Sequence, residues 1–198
     1  MNLWSDQQIL QELAPAQRGV FTTADLQAAM GEPNRAAVWR RIDALIGAGV
    51  IRRFRRGIYV AESFEPLVLS QRLDPESVVS FETVLAKELI IGVDPSKRIR
   101  ATQLGRPRSF AGLGIEIEHF RITPSLAFGW NAIDGVKMAS AEKAVLDVLY
   151  FHLRGTRYAF DVYSDLNLAR LDLAVLREFL QRYRNPKFVS FAKNVLQL

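Results

Sequence analysis

The chain has 198 residues, of which 49% are hydrophobic and 24% charged, the balance of a folded protein and not of a disordered one. It contains no cysteine, which excludes disulfides and thiolate metal sites and fits the reducing cytoplasm. Met1–Leu10 lacks a basic segment followed by an apolar run, and no apolar stretch approaches the roughly 20 residues that span a bilayer, so a cytoplasmic protein is expected.

Ser5–Leu13 carries Ile9, Leu10 and Leu13 at helical spacing, with Ser5 as its expected N-cap. Thr22 and Asp25 form a capping-box pattern for a short helix ending at Met30, with Leu26 and Met30 turned inward. Gly31-Glu32-Pro33 must break that helix, since proline has no amide to donate and glycine accepts left-handed angles. Asn34 then caps a second helix reaching about Ala48, whose apolar stripe is Val38, Ile42 and Leu45. Two short helices joined by a tight turn fit a helix-turn-helix. Val50, Ile51 and Phe54 suit one strand and Ile58, Tyr59 and Val60 another, with Arg52, Arg53, Arg55, Arg56 and Gly57 around the turn.

Charge is concentrated here. Between positions 35 and 60 seven arginines stand against one acid, Asp43, a local charge of +6, whereas the whole chain carries +5. The expected architecture for residues 1–62 is therefore a winged helix-turn-helix that binds double-stranded DNA. The amino-terminal residues of its second helix would lie near base edges. Arginine can pair with guanine O6 and N7, and asparagine with adenine N6 and N7. This assigns Asn34, Arg35, Trp39 and Arg40 to the major groove, and Arg52, Arg53, Arg55 and Arg56 to phosphates or the minor groove. The competing reading is a solvated basic surface, with Trp39 in the core or against the wing.

Glu62-Ser63-Phe64-Glu65-Pro66 reads as a connector, and residues 63–198 as a mixed α/β domain, an α+β chain overall. Ser77–Ile91 has the spacing of a helix with Val78, Leu85 and Leu89 inward. Ile99–Leu104 and Ile115–Ile122 suit strands, with Gly105–Gly114 as the loop between them. Along the second strand Glu116, Glu118 and Phe120 alternate with Ile115, Ile117 and His119. A helix starts at Ser140, with Glu142 in its first turn and an inner face of Val145, Leu146, Leu149 and Leu153. Leu171–Tyr183 and Phe188–Leu196 are expected as two more helices, separated by Asn185-Pro186.

No phosphate-cradling glycine loop and no nucleophile elbow occurs. His119 and His152 lack ligand spacing and read as structural. Glu116, Glu118, Asp161 and Asp165 are the acids a metal could use, though solvated acids explain them more simply. Arg106 and Arg108 give the central loop a basic character. Neither enzyme chemistry nor a cofactor or metal is expected.

Three segments taken together resemble one family. They are Arg56-Gly57-Ile58-Tyr59-Val60, Ser80-Phe81-Glu82-Thr83-Val84-Leu85, and the run Ala139–Leu149 with its Glu142-Lys143-Ala144 start and Asp147. Their order and spacing over about residues 15–155 resemble the AbiEi family of antitoxins and transcriptional regulators of type IV toxin–antitoxin systems. The resemblance implies a winged domain that represses its own operon, binding promoter repeats with self-association on DNA. It also implies a second domain that opposes a nucleotidyltransferase-like toxin. It marks Gly57 as a structural turn and Glu142–Leu149 as a domain core and fold-defining helix; helical spacing alone gives Lys143 and Asp147 as an i, i+4 surface pair, which the resemblance raises slightly as a functional surface. The alternatives are a ligand-sensing winged-helix transcription factor without a toxin partner, or a nucleic-acid enzyme using Glu116, Glu118 or Asp161.

Overall fold

A computed structural model describes residues 3–93, 95 and 97–198. They divide into two compact units, Met1–Pro75 and Glu76–Leu198. The first contains α1 (Leu3–Gln17), β1 (Val20–Thr22), α2 (Thr23–Met30), α3 (Arg35–Gly47), β2 (Ile51–Arg55), β3 (Ile58–Ala61) and α4 (Pro66–Leu73). The division follows Pro75, thirteen residues beyond the 62/63 boundary expected from composition, because α4 packs against β1 and buries Val68, Leu69 and Leu73.

Local chemistry explains most of this unit. The Thr22 hydroxyl accepts from Asp25 N at 3.1 Å while the Asp25 carboxylate accepts from Thr22 N at 2.8 Å, a reciprocal cap that satisfies two otherwise orphaned amides. Gly31 ends α2 in the left-handed region at φ 58°, where its N–H reaches back to Ala28. Asn34 Oδ1 accepts from Ala36 N and Ala37 N at 2.9 and 3.3 Å and starts α3. Val38, Ile42 and Leu45 are buried, joining Leu10, Phe21, Leu26, Ile51 and Tyr59 in one core. At such positions truncation to alanine costs about 2–5 kcal/mol. The first helix runs longer than its pattern suggested, starting before Ser5 and passing through Pro15. The three strands pair in the order β1-β3-β2, all antiparallel.

Among the described residues the second unit holds a six-stranded mixed sheet and four α-helices. Its strands are β4 (Val78–Val79), β5 (Arg98–Gln103), β6 (Arg108–Gly112), β7 (Ile115–Arg121), β8 (Trp130–Ile133) and β9 (Val136–Ala139), in the order β6-β7-β5-β4-β9-β8. Its helices are α5 (Phe81–Lys87), α6 (Ala141–His152), α7 (Leu173–Leu180) and α8 (Pro186–Leu196). Asn185 caps α8 and Pro186 occupies its first turn, so the dipeptide begins the helix as well as separating it from α7.

Several expectations are corrected here. Ser77–Ile91 is not one helix: Val78 and Val79 pair with Thr102 and Ala101, and the chain turns at Ser80 and Phe81, the first residue of α5. Phe81 is fully buried at φ 56°, a conformation that costs a non-glycine residue about 1–3 kcal/mol and is held by ring packing on Phe120 and Phe151 at 5.1 and 5.4 Å. Leu89 lies beyond the helix and is 60% exposed. Residues 105–114 are not all loop, since Arg108–Gly112 pairs antiparallel with β7. Leu153, expected inward, is exposed. Among the described residues no helix is long and apolar enough to cross a membrane.

Candidate nucleic-acid interface

The burial of α3 on Val38, Ile42 and Leu45 fixes which side faces outward. Ala36, Arg40, Asp43 and Gly47 form the exposed stripe at successive turns, with Arg35 at its amino end. Small residues at 36 and 47 leave Arg40 and Asp43 as the projecting side chains. Trp39 is half-buried and packs against the core, so it supports the helix from behind the stripe. Asn34 is exposed, but its Oδ1 already holds the helix cap. Bidentate pairing with adenine needs that same oxygen, which makes Asn34 a positioning residue for the stripe.

Arg41, between Arg40 and Ile42, turns the other way. It donates to both carboxylate oxygens of Asp6, a residue only 2% exposed, and to the carbonyl of Met30 at 3.3 Å. The bond to Asp6 keeps the guanidinium above its ordinary range against the opposing effect of burial. One of the seven arginines thus clamps α1 to α3 and adds nothing to the outward field. Asp6 escaped notice in the sequence because nothing local distinguishes it from any solvated acid in a first helical turn.

The hairpin of β2 and β3 distributes its arginines over two faces. Cross-strand partners share a face of a sheet, and Arg53 pairs with Tyr59 while Arg52 pairs with Val60. Arg53 therefore lies on the helix side, where it meets Asp43 of α3 at 2.9 Å and lies 5.8 Å from the Tyr59 ring centroid. Arg52 lies on the opposite side and donates to the carbonyl of Glu62 at 3.2 Å. An irregularity in register between Arg53 and Arg55 brings Arg55 opposite Ile58, on the face of Val60 and Arg52. Arg56 and Gly57 make the turn, Gly57 at φ 83°, and the Gly57 carbonyl accepts from Thr23 N at 3.1 Å, tying the tip to the start of α2. The expectation of four arginines at the tip is thus corrected to a ribbon with cations on both faces and Arg56 at its end. The strand pairing that decides this is non-local.

The remaining candidates are engaged elsewhere. Glu116 pairs with Arg98 at 2.7 Å, and Glu118 with Arg100 at 2.7 Å. Arg100 is buried and also meets Glu82 at 2.5 Å, where burial pushes the Glu82 carboxyl up. Asp161 and Asp165 cap one turn: Asp161 Oδ1 accepts from Tyr163 N and Asp165 Oδ2 from Asp161 N. His119 is buried beside Phe110, and His152 stacks on Phe191. Arg106 and Arg108 are exposed. Lys143 and Asp147 are not a surface pair: they form an ion pair 2% and 1% exposed, and Ser80 donates to Asp147 at 2.8 Å.

Residues 8–61 match the sequence family described as "Transcriptional regulator, AbiEi antitoxin". No curated protein matches the chain. Among solved structures, the crystal structure of the RV2827C protein from Mycobacterium tuberculosis is similar, with a TM-score of 0.65 and 13% identity, over 100% of this chain and 77% of that one. At that identity the likeness concerns the fold. The helix-turn-helix with its arginine ribbon and the family match coincide on one stretch: residues 8–61 are similar to the AbiEi antitoxin family of transcriptional regulators.

Proposed function

We propose that the first unit binds double-stranded DNA with α3 in the major groove, and that the chain is an autorepressor and antitoxin of a type IV toxin–antitoxin system opposing a nucleotidyltransferase-like toxin. The observation that carries the DNA reading is the exposed stripe of α3 with Arg35 and Arg40, beside a hairpin bearing arginines on both faces. Arg35 and Arg40 read base edges, and Asn34 and Trp39 hold the helix in place for them. Arg52, Arg55 and Arg56 contact phosphates, and Arg53 is steered by Asp43. A ribbon standing over a groove has a phosphate strand on either side, so cations on both faces each find an anion. Two copies occupy half-sites about one helical turn apart.

Affinity for duplex DNA measured against salt tests the first part. Each phosphate contact contributes about −0.9 to the slope of log K on log salt, so three to four contacts give about −3 or steeper. A slope near zero overturns it. Co-expression of the full chain with a nucleotidyltransferase-like toxin tests the second part, with restored growth expected. DNA binding without restored growth would leave the ligand-sensing transcription factor as the better reading, which a partly open pocket in the second unit favours.

A further inference from the structure

The second unit carries a partly open pocket of about 190 Å³ lined by β4, β5, β8, β9, the segment 122–128 and α6. Its walls include Val78, Ile122, Leu126, Phe128, Trp130 and Ala139, and its floor is the Lys143–Asp147 pair. A buried ion pair adds little net stability, because desolvating two charges costs about what their attraction returns. An apolar pair would serve a plain core at least as well, so this one calls for another reason. Its hydrogen bonds supply it. Asp147 is satisfied on both oxygens, Oδ1 by Lys143 Nζ and Oδ2 by Ser80 Oγ. Lys143 is not. An ammonium has three donors, and among the described residues Nζ meets only Asp147 and the ring of Phe128, 5.2 Å from its centroid. A buried donor is left facing the cavity.

The charges around the pocket cancel. At the mouth Lys137 meets Glu76 at 3.0 Å and lies 5.5 Å from the Trp130 ring centroid, and the floor pair is neutral as a whole. A charged molecule would lose its hydration on entry without a net opposite charge to receive it, whereas a neutral acceptor satisfies Lys143 at small cost. The volume equals that of about six waters, enough for a single substituted ring. We infer that this pocket binds a small, neutral, planar molecule bearing a carbonyl or ring-nitrogen acceptor, with the acceptor on Lys143 Nζ and the ring against Phe128 and Trp130. This assignment stands independently of the DNA and antitoxin readings.

Benzamide titrated into the isotope-labelled full chain tests it, with the indole N–H resonance of Trp130 as the readout. A saturable shift is expected. Toluene, which lacks the acceptor, and benzoate, which is charged, should each bind at least about tenfold more weakly. Lys143→Met should weaken benzamide by a similar factor. Ala127→Phe fills the mouth from an exposed position without touching the ion pair and should abolish the shift. If Lys143→Met does not fold, Ala127→Phe and the three probes decide. No saturable shift with benzamide, equal binding of toluene or benzoate, or an unchanged shift in Ala127→Phe overturns the inference.

Discussion

Arg40 and Arg56 carry the same charge in different settings, and the difference should be measurable. Arg40 projects from the middle of the exposed stripe of α3, where a guanidinium can take the two acceptors of one guanine. Arg40→Ala should lose about 1–3 kcal/mol at a single base-pair position, so competition among duplexes altered one pair at a time should show preference relaxed there. Arg56→Ala removes a cation from the hairpin turn. It should weaken all duplexes alike and reduce the magnitude of the salt slope by about one. Identical effects of the two changes across the duplex panel would contradict the assignment. In the second unit, Asp147→Asn would leave the Lys143 charge in the interior without its counterion. That should cost about 3–5 kcal/mol in urea unfolding. The double change Lys143→Met with Asp147→Leu should recover most of the loss, because it removes both desolvated charges together. Burial pushes the Asp147 carboxyl up, more than Lys143 and Ser80 pull it down, consistent with a pair held at a net desolvation cost.

At the scale of elements, an exposed ion pair joins β2 to α3. Asp43 on α3 holds Arg53 on β2 at 2.9 Å, with both side chains about half exposed or more. Such pairs contribute about 0.2–1 kcal/mol to stability, so Asp43→Asn should change unfolding little. Its effect on binding should be larger. The substitution removes the acid from the exposed stripe and releases Arg53 toward phosphate, so non-specific affinity should rise and the salt slope should steepen by about one. Asn34→Ala should act through the helix instead. Loss of its cap should destabilise the start of α3 by about 1 kcal/mol, with affinity reduced and base preference unchanged. A changed preference would return Asn34 to the bases.

At the scale of the whole chain, two units are built on different principles. Met1–Pro75 is a small helical core closed by a three-stranded sheet, and Glu76–Leu198 is, among the described residues, a six-stranded sheet with four α-helices. The proposed roles divide along the same line. The full chain carrying Arg40→Ala and Arg56→Ala together should fail to bind its promoter in footprinting, yet still restore growth when co-expressed with the toxin. Loss of both activities at once would mean that antagonism runs through the DNA-binding surface.

The elements legible in the sequence are those whose stabilising contacts lie within a few residues. Thr22 with Asp25, Asn34 with Ala36, and Gly57 at the hairpin turn are interactions that neighbours complete, and the stripe Val38, Ile42 and Leu45 states its own inner face. Amino-acid order alone therefore determined the helix-turn-helix, the hairpin after it and the local excess of arginine. The tertiary structure alone decided what depends on partners distant in the chain. Arg41 is committed to Asp6 thirty-five positions away. Val78 and Val79 become a strand because β5 and β9 flank them, overriding a spacing that suits a helix. Lys143 and Asp147 have the i, i+4 spacing of a solvated pair, and only the closure of the sheet and the neighbouring helices over α6 takes them out of water. Spacing sets which side chains share a face, but burial of that face depends on what packs against it, and a single helix does not carry that information.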